Sequence, residues 1–191
     1  DIIEKLSKDK ISLDLISIIF PELKYIKIFS KLTSEQKNLL KEIDFIIFLS
    51  LMIIDETDNV DYFLYKFNIS KKEQKRIKTI DHFYKEKISS KTFTVNNMNK
   101  FFYYHGKQAI IDILNYRIFK SKKSDRNLIK LIEQYKNKTI PIMPIKAETI
   151  MNKYQVPEGK QLGSKLKLIE KEWVKNNFQI TDQQVENIIK N

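Results

Sequence analysis

Side chains able to do covalent or metal chemistry are scarce in this sequence. The chain has two histidines, His82 and His105, and no cysteine. The histidines stand at no metal-ligand spacing, and no serine nucleophile motif surrounds them, so they read as ordinary histidines. Without cysteine there is no disulfide frame, no thiolate chemistry and no Cys-based zinc site. Acids cluster in D-E-T-D-N-V-D, Asp55–Asp61. That run lacks the central glycine and terminal glutamate of a calcium loop, and acids ahead of a helix also stabilise its positive end. Phosphoryl transfer would need an Asp-x-Asp pair for magnesium and a phosphate cradle. Glu56 and Asp58 have that spacing, but no Gly-rich loop accompanies them. The chain carries no recognisable catalytic site.

What the sequence does supply is positive charge. The formal net charge is +11 and the pI about 9.5, which favours a polyanionic partner, nucleic acid first. A lysine-rich compositional bias would raise the same figure. Three basic groups stand out: Lys71, Lys72, Lys75, Arg76 and Lys78; Arg117, Lys120, Lys122, Lys123, Arg126 and Lys130; and Lys153, Lys160, Lys165, Lys167, Lys171 and Lys175. Each is either a solvated helix face or part of a surface that meets phosphate. Phe101, Phe102, Tyr103 and Tyr104 run consecutively, with core packing the simpler reading and base stacking the alternative.

The third basic group overlaps V-P-E-G-K-Q-L-G-S-K-L, Val156–Leu166, which holds two of the chain's three glycines. On a helical projection Leu162, Leu166, Ile169 and Trp173 share one side, and Lys160, Lys167 and Lys171 the other. Gly163 falls in the first turn. A helix N-terminus offers free N–H groups to phosphate, and glycine admits a close approach. The same glycines could instead let two helices pack tightly. Spacing leaves the two open.

These residues need helices to hold them. Apolar residues make up 42% of the 191, enough for a real core. Helical periodicity dominates, with no convincing alternating run, so the fold class is all-α. The pattern predicts helices near residues 11–19, 22–30, 34–54, 59–67, 70–86, 95–104, 107–119, 124–137, 148–154, 161–176 and 181–190. Ser34 is the expected N-cap of the long third helix, with Lys37 where a capping box wants Glu or Gln, and Ser70 with Glu73 forms a proper capping box. The apolar run Ile43–Ile54 is too short to span a bilayer and reads as a buried helix. T-I-P-I-M-P-I, Thr139–Ile145, breaks the pattern and predicts a boundary between a helical body, 1–138, and a smaller helical tail, 139–191. A cytoplasmic setting fits the absence of cysteine and of a signal peptide. The chain starts with Asp, as expected of a processed protein or the C-terminal piece of a longer one.

The stretch P-I-K-A-E-T-I-M-N-K-Y-Q-V-P-E-G-K-Q-L-G-S-K-L, Pro144–Leu166, resembles a tail motif of bacterial tRNA nucleotidyltransferases and poly(A) polymerases. In that family a short helix precedes P-x-G-x-x-[IL]-G-x-x-L. Pro157, Gly159, Leu162, Gly163 and Leu166 match the motif, and Ile150 and Met151 match the helix before it. Lys66–Ile77 and Leu13–Leu23 are similar, less specifically, to body and neck segments. The chain departs from the family at Ala147 and Thr149, where Gly and Asp are usual.

The resemblance implies an all-α neck-end and body over 1–138 and a tail over 139–191, without the catalytic head. Catalytic residues are therefore not carried over, and magnesium and nucleotide would belong to that head. It also implies a tRNA or other structured RNA partner, held so that its 3′ end reaches the head. The head would lie in the same gene product or in a separate chain. The residues expected near phosphate are Lys160, Gly163, Lys165 and Lys167, with Lys153, Lys122, Lys123 and Arg126 as secondary contacts. The competing readings are a stand-alone helical nucleic-acid-binding module and a protein–protein interaction scaffold.

Overall fold

A computed structural model of the chain describes residues 2–86, 93–121 and 125–190. Among them every regular element is a helix, and no helix is long and apolar enough to cross a membrane. The elements are α1 (Ile2–Leu6), α2 (Lys10–Ile19), a 3-10 turn (Ile26–Lys31), α3 (Ser34–Leu40), α4 (Phe45–Ile53), α5 (Asn59–Lys66), α6 (Lys71–Lys85), α7 (Val95–Lys120), α8 (Arg126–Asn137), α9 (Ala147–Tyr154), α10 (Lys160–Lys175) and α11 (Asp182–Lys190). They fall into two compact units, one drawn from residues 1–91 and 107–138 and the other from 92–106 and 139–191. The division runs through α7 at Gly106, whose φ of 83° interrupts the helix. That left-handed backbone suits glycine, which has no Cβ to clash.

The larger unit is built around α4. It is apolar all round, and Ile46, Ile47, Leu49, Leu51, Met52 and Ile53 are buried, as expected of a helix enclosed by others. The 3-10 turn, α5 and α6 pack on it. Three expectations for this region need correcting. The helix expected near 22–30 is the 3-10 turn, which starts only at Ile26. The long helix expected over 34–54 is two, α3 and α4, because the Asp44 carboxylate accepts a 2.8 Å hydrogen bond from the Ile46 N–H and so caps a new helix. In a continuous helix that N–H would already be bonded to the backbone. The N-cap of α3 is Thr33 rather than Ser34, in a capping box closed by Gln36. The box expected at Ser70 and Glu73 is present.

Arg76 of α6 is the electrostatic centre of this unit. Its Nε and Nη2 donate to the two oxygens of Asp112 at 2.8 Å each, and its Nη1 donates to Asp44 at 2.9 Å. Asp112 also accepts from the Gln108 amide. The paired carboxylates raise the Arg76 pKa above its ordinary value, against the opposing effect of burial. A fork this buried is costly to break from one side, because a charge would be left behind without its partner.

The smaller unit packs α10 on α9 and α11. Ile150, Leu162, Ile169 and Val185 form its apolar centre, with Leu166, Ile188 and Val156 among the side chains around it. Residues 95–105 add an aromatic cluster: Tyr103 meets Trp173 edge-on at 5.5 Å and Phe178 at 5.8 Å. The Tyr103 hydroxyl donates to Glu170 at 2.5 Å. Burial, then that carboxylate, push its pKa up to about 12. Of the consecutive aromatics, Phe102 is buried, Tyr103 packs as described, Phe101 stacks on His105, and Tyr104 is exposed.

Candidate nucleic-acid interface

The turn from α9 to α10 is shaped by backbone that few residues adopt. Gln155 ends α9 in the left-handed region at φ 53°. Gly159 follows as the N-cap of α10 at φ 139° and ψ −162°, a conformation open essentially to glycine alone. A glycine N-cap has no side chain to bond the first-turn N–H groups. The first bond of the turn runs from the Gly163 N–H to the Gly159 carbonyl at 3.1 Å. The donors of Lys160, Gln161 and Leu162 thus face outward at the positive end of a 16-residue helix. At the start of α9, Lys146 is the N-cap and gives no side-chain bond, and Thr149 lies inside the helix.

Gly163 is exposed, and a Cβ built on it would meet nothing within 4 Å. No neighbouring helix takes the space, so tight helix packing does not account for this glycine. Helix geometry puts Lys160 one turn before it and Lys167 one turn after, with Lys171 a further turn on. All three lysines are exposed and none has an acidic partner among the described residues. On the opposite side Leu162, Ile169 and Trp173 are buried and Leu166 is half-buried, as the projection requires. The result is a lysine stripe, interrupted by a bare glycine, running from an uncapped helix end. Lys171 completes it, legible in the sequence as the residue one turn beyond Lys167.

The remaining expected contacts are placed differently. The Lys165 ammonium donates to the Ile188 carbonyl at 3.0 Å, satisfying an acceptor in the last turn of α11, where a cation also suits the helix dipole. Lys153 lies 3.3 Å from Asp182, which raises its pKa, and its side chain is half exposed. A pair this exposed holds weakly and can be exchanged for another anion. Arg126 is the exposed first residue of α8, following its N-cap Asp125. Lys122 and Lys123 lie outside the described residues. Next to the stripe, Lys165, Lys171 and Lys175 line a groove of about 740 Å³ between α10 and α11.

In the larger unit several basic side chains are answered by acids. Arg76 is forked as described, and Lys78 pairs with Asp61. The acid run Asp55–Asp61 is used the same way, with Asp55 bonded to Lys24 and to Thr57. Among the described residues no acid or histidine cluster could hold a metal ion.

No curated protein matches the chain. Residues 37–189 match the family model described as "tRNA nucleotidyltransferase domain 2 putative", a span that takes in α4 to α10 and most of α11. The chain belongs to the tRNA nucleotidyltransferase domain 2 family.

Proposed function

We propose that this chain binds tRNA through the backbone and holds it so that the 3′ end reaches a separate catalytic head. The observation that carries the reading is the start of α10: an uncapped helix end whose first turn has a bare, unobstructed Gly163 between Lys160 and Lys167. Positioning an RNA asks for phosphate contacts rather than base reading, and lysines with helix N–H groups provide them. Duplex RNA is met by its shape and backbone. Lys160, Gly163 and Lys167 are the primary contacts, with Lys171 continuing the track. Lys153 exchanges Asp182 for phosphate, and Arg126, Lys122 and Lys123 add secondary charge. Lys165 supports the track by holding the end of α11 and contributes field rather than a direct bond.

The test is the salt dependence of tRNA affinity. Neutralising about six phosphates gives a log–log slope near −5 for duplex-like RNA, and Lys167→Ala should reduce it by about one. A flat slope, or no binding at low salt, would sink the reading. One observation favours a protein scaffold instead: Ile11, Leu15, Ile18 and Ile19 of α2 are exposed together, and apolar faces of this kind mark protein contacts. That reading predicts salt-insensitive self-association or partner binding, abolished by Leu15→Lys.

A further inference from the structure

A second surface lies on α5 and α6, away from the lysine track in sequence and in the larger unit. Tyr62 and Tyr65 are 58% and 91% exposed, although they sit on a helix whose other face buries Val60, Phe63 and Leu64. Neither tyrosine is needed to fill the core. Single exposed aromatics call for no explanation, but these two are neighbours one turn apart, and the surface beside them is cationic.

The register can be followed from one contact. Residues 67–70 join α5 to α6, a link short enough to make the helices antiparallel neighbours. Lys78 of α6 bonds Asp61 of α5 at 2.9 Å. One turn toward the link from Asp61 is Tyr65, and one turn toward it from Lys78 is Lys75, with Lys71 beyond. Lys71 and Lys75 are exposed and have no acidic partner among the described residues. Asp61, next to Tyr62 in the chain, is paired with Lys78.

From this juxtaposition we infer that Tyr62 and Tyr65 form a stacking platform for unpaired nucleotides of RNA, with Lys71 and Lys75 on the adjoining phosphates. Flat rings at solvent take bases of any sequence, and the lysines supply the charge that single-stranded backbone requires. The inference rests on the reading that the chain binds RNA, but on a different part of the RNA and a different unit of the protein.

The experiment uses the full 191-residue chain with a short labelled oligoadenylate and an abasic oligomer of the same length. The wild type should prefer the oligoadenylate. Replacing both tyrosines by Ala should cost about tenfold in its affinity and abolish the preference, whereas replacing both by Phe should preserve it. Lys71→Ala with Lys75→Ala should weaken both oligomers alike. Lys167→Ala should lower tRNA affinity and leave the preference for oligoadenylate over the abasic oligomer intact, so this inference and the α10 reading fail separately. Equal affinity for the two oligomers, an Ala pair that binds like wild type, or no binding at low salt would overturn the platform.

Discussion

Helices α6 and α10 are close in length, 15 and 16 residues, and both are rich in lysine, yet their first turns are opposites. In α6 the Ser70 hydroxyl meets the Glu73 N–H and the Glu73 carboxylate reaches back to the Ser70 N–H. Its arginine turns inward to Asp112 and Asp44. In α10 the cap is a glycine with no side chain, the first turn contains a second glycine facing empty space, and the exposed Lys160, Lys167 and Lys171 have no acidic partner among the described residues. The first arrangement satisfies its N-terminal donors and its arginine within the fold. The second leaves them available to something outside it. Counting lysines in the sequence treats the two helices as equals, and the difference lies in what the surrounding residues do with the charge.

The comparison can be broken at several points. Arg76→Ala should have the largest effect, destabilising the larger unit by about 3–5 kcal/mol, since Asp112 would be buried without its fork. Thermal or urea unfolding checks it, and an unchanged midpoint would mean that the fork contributes nothing. Gly159→Ala should come next. Forcing an L side chain to φ 139° costs on the order of 1–3 kcal/mol, and it should show in the smaller unit through fluorescence of Trp173, the chain's only tryptophan. Ser70→Ala should cost about 1 kcal/mol through loss of the cap, measurable in the same melts and without effect on tRNA affinity. A fall in affinity at Ser70→Ala would show that α6 takes part in binding through its N-terminus, which its closed cap argues against.

Much of this was legible in the sequence, and the exceptions share a cause. The Ser70 and Glu73 box is a local motif, and the buried stripe of α10 follows from periodicity, so both stood in the residues themselves. The break between α3 and α4 did not, because the apolar pattern continues across it and Asp44 reveals its role only with Arg76, 32 residues away. The Thr33 and Gln36 box was available as a T-x-x-Q spacing and was masked by the neighbouring Ser34. Lys165 reads as a free cation until Ile188, 23 residues on, is brought to it. Nothing local in residues 95–105 signals that Tyr103 will meet Glu170, 67 residues later. For the two tail glycines the spacing left phosphate and helix packing equally open, and only the empty space around Gly163 separates them.

That space also defines the most direct test. Helix side chains lean toward the N-terminus, so a methyl group at residue 163 would project over the first-turn donors, where the account puts a phosphate. The fold itself should tolerate it: Ala is favoured over Gly in a helix by roughly 1 kcal/mol, and nothing stands in its way. The measurement is the tRNA affinity of Gly163→Ala beside its melting temperature. The account predicts affinity reduced several-fold with a melting temperature equal to or above that of wild type. Unchanged affinity in a variant that melts as predicted would contradict it.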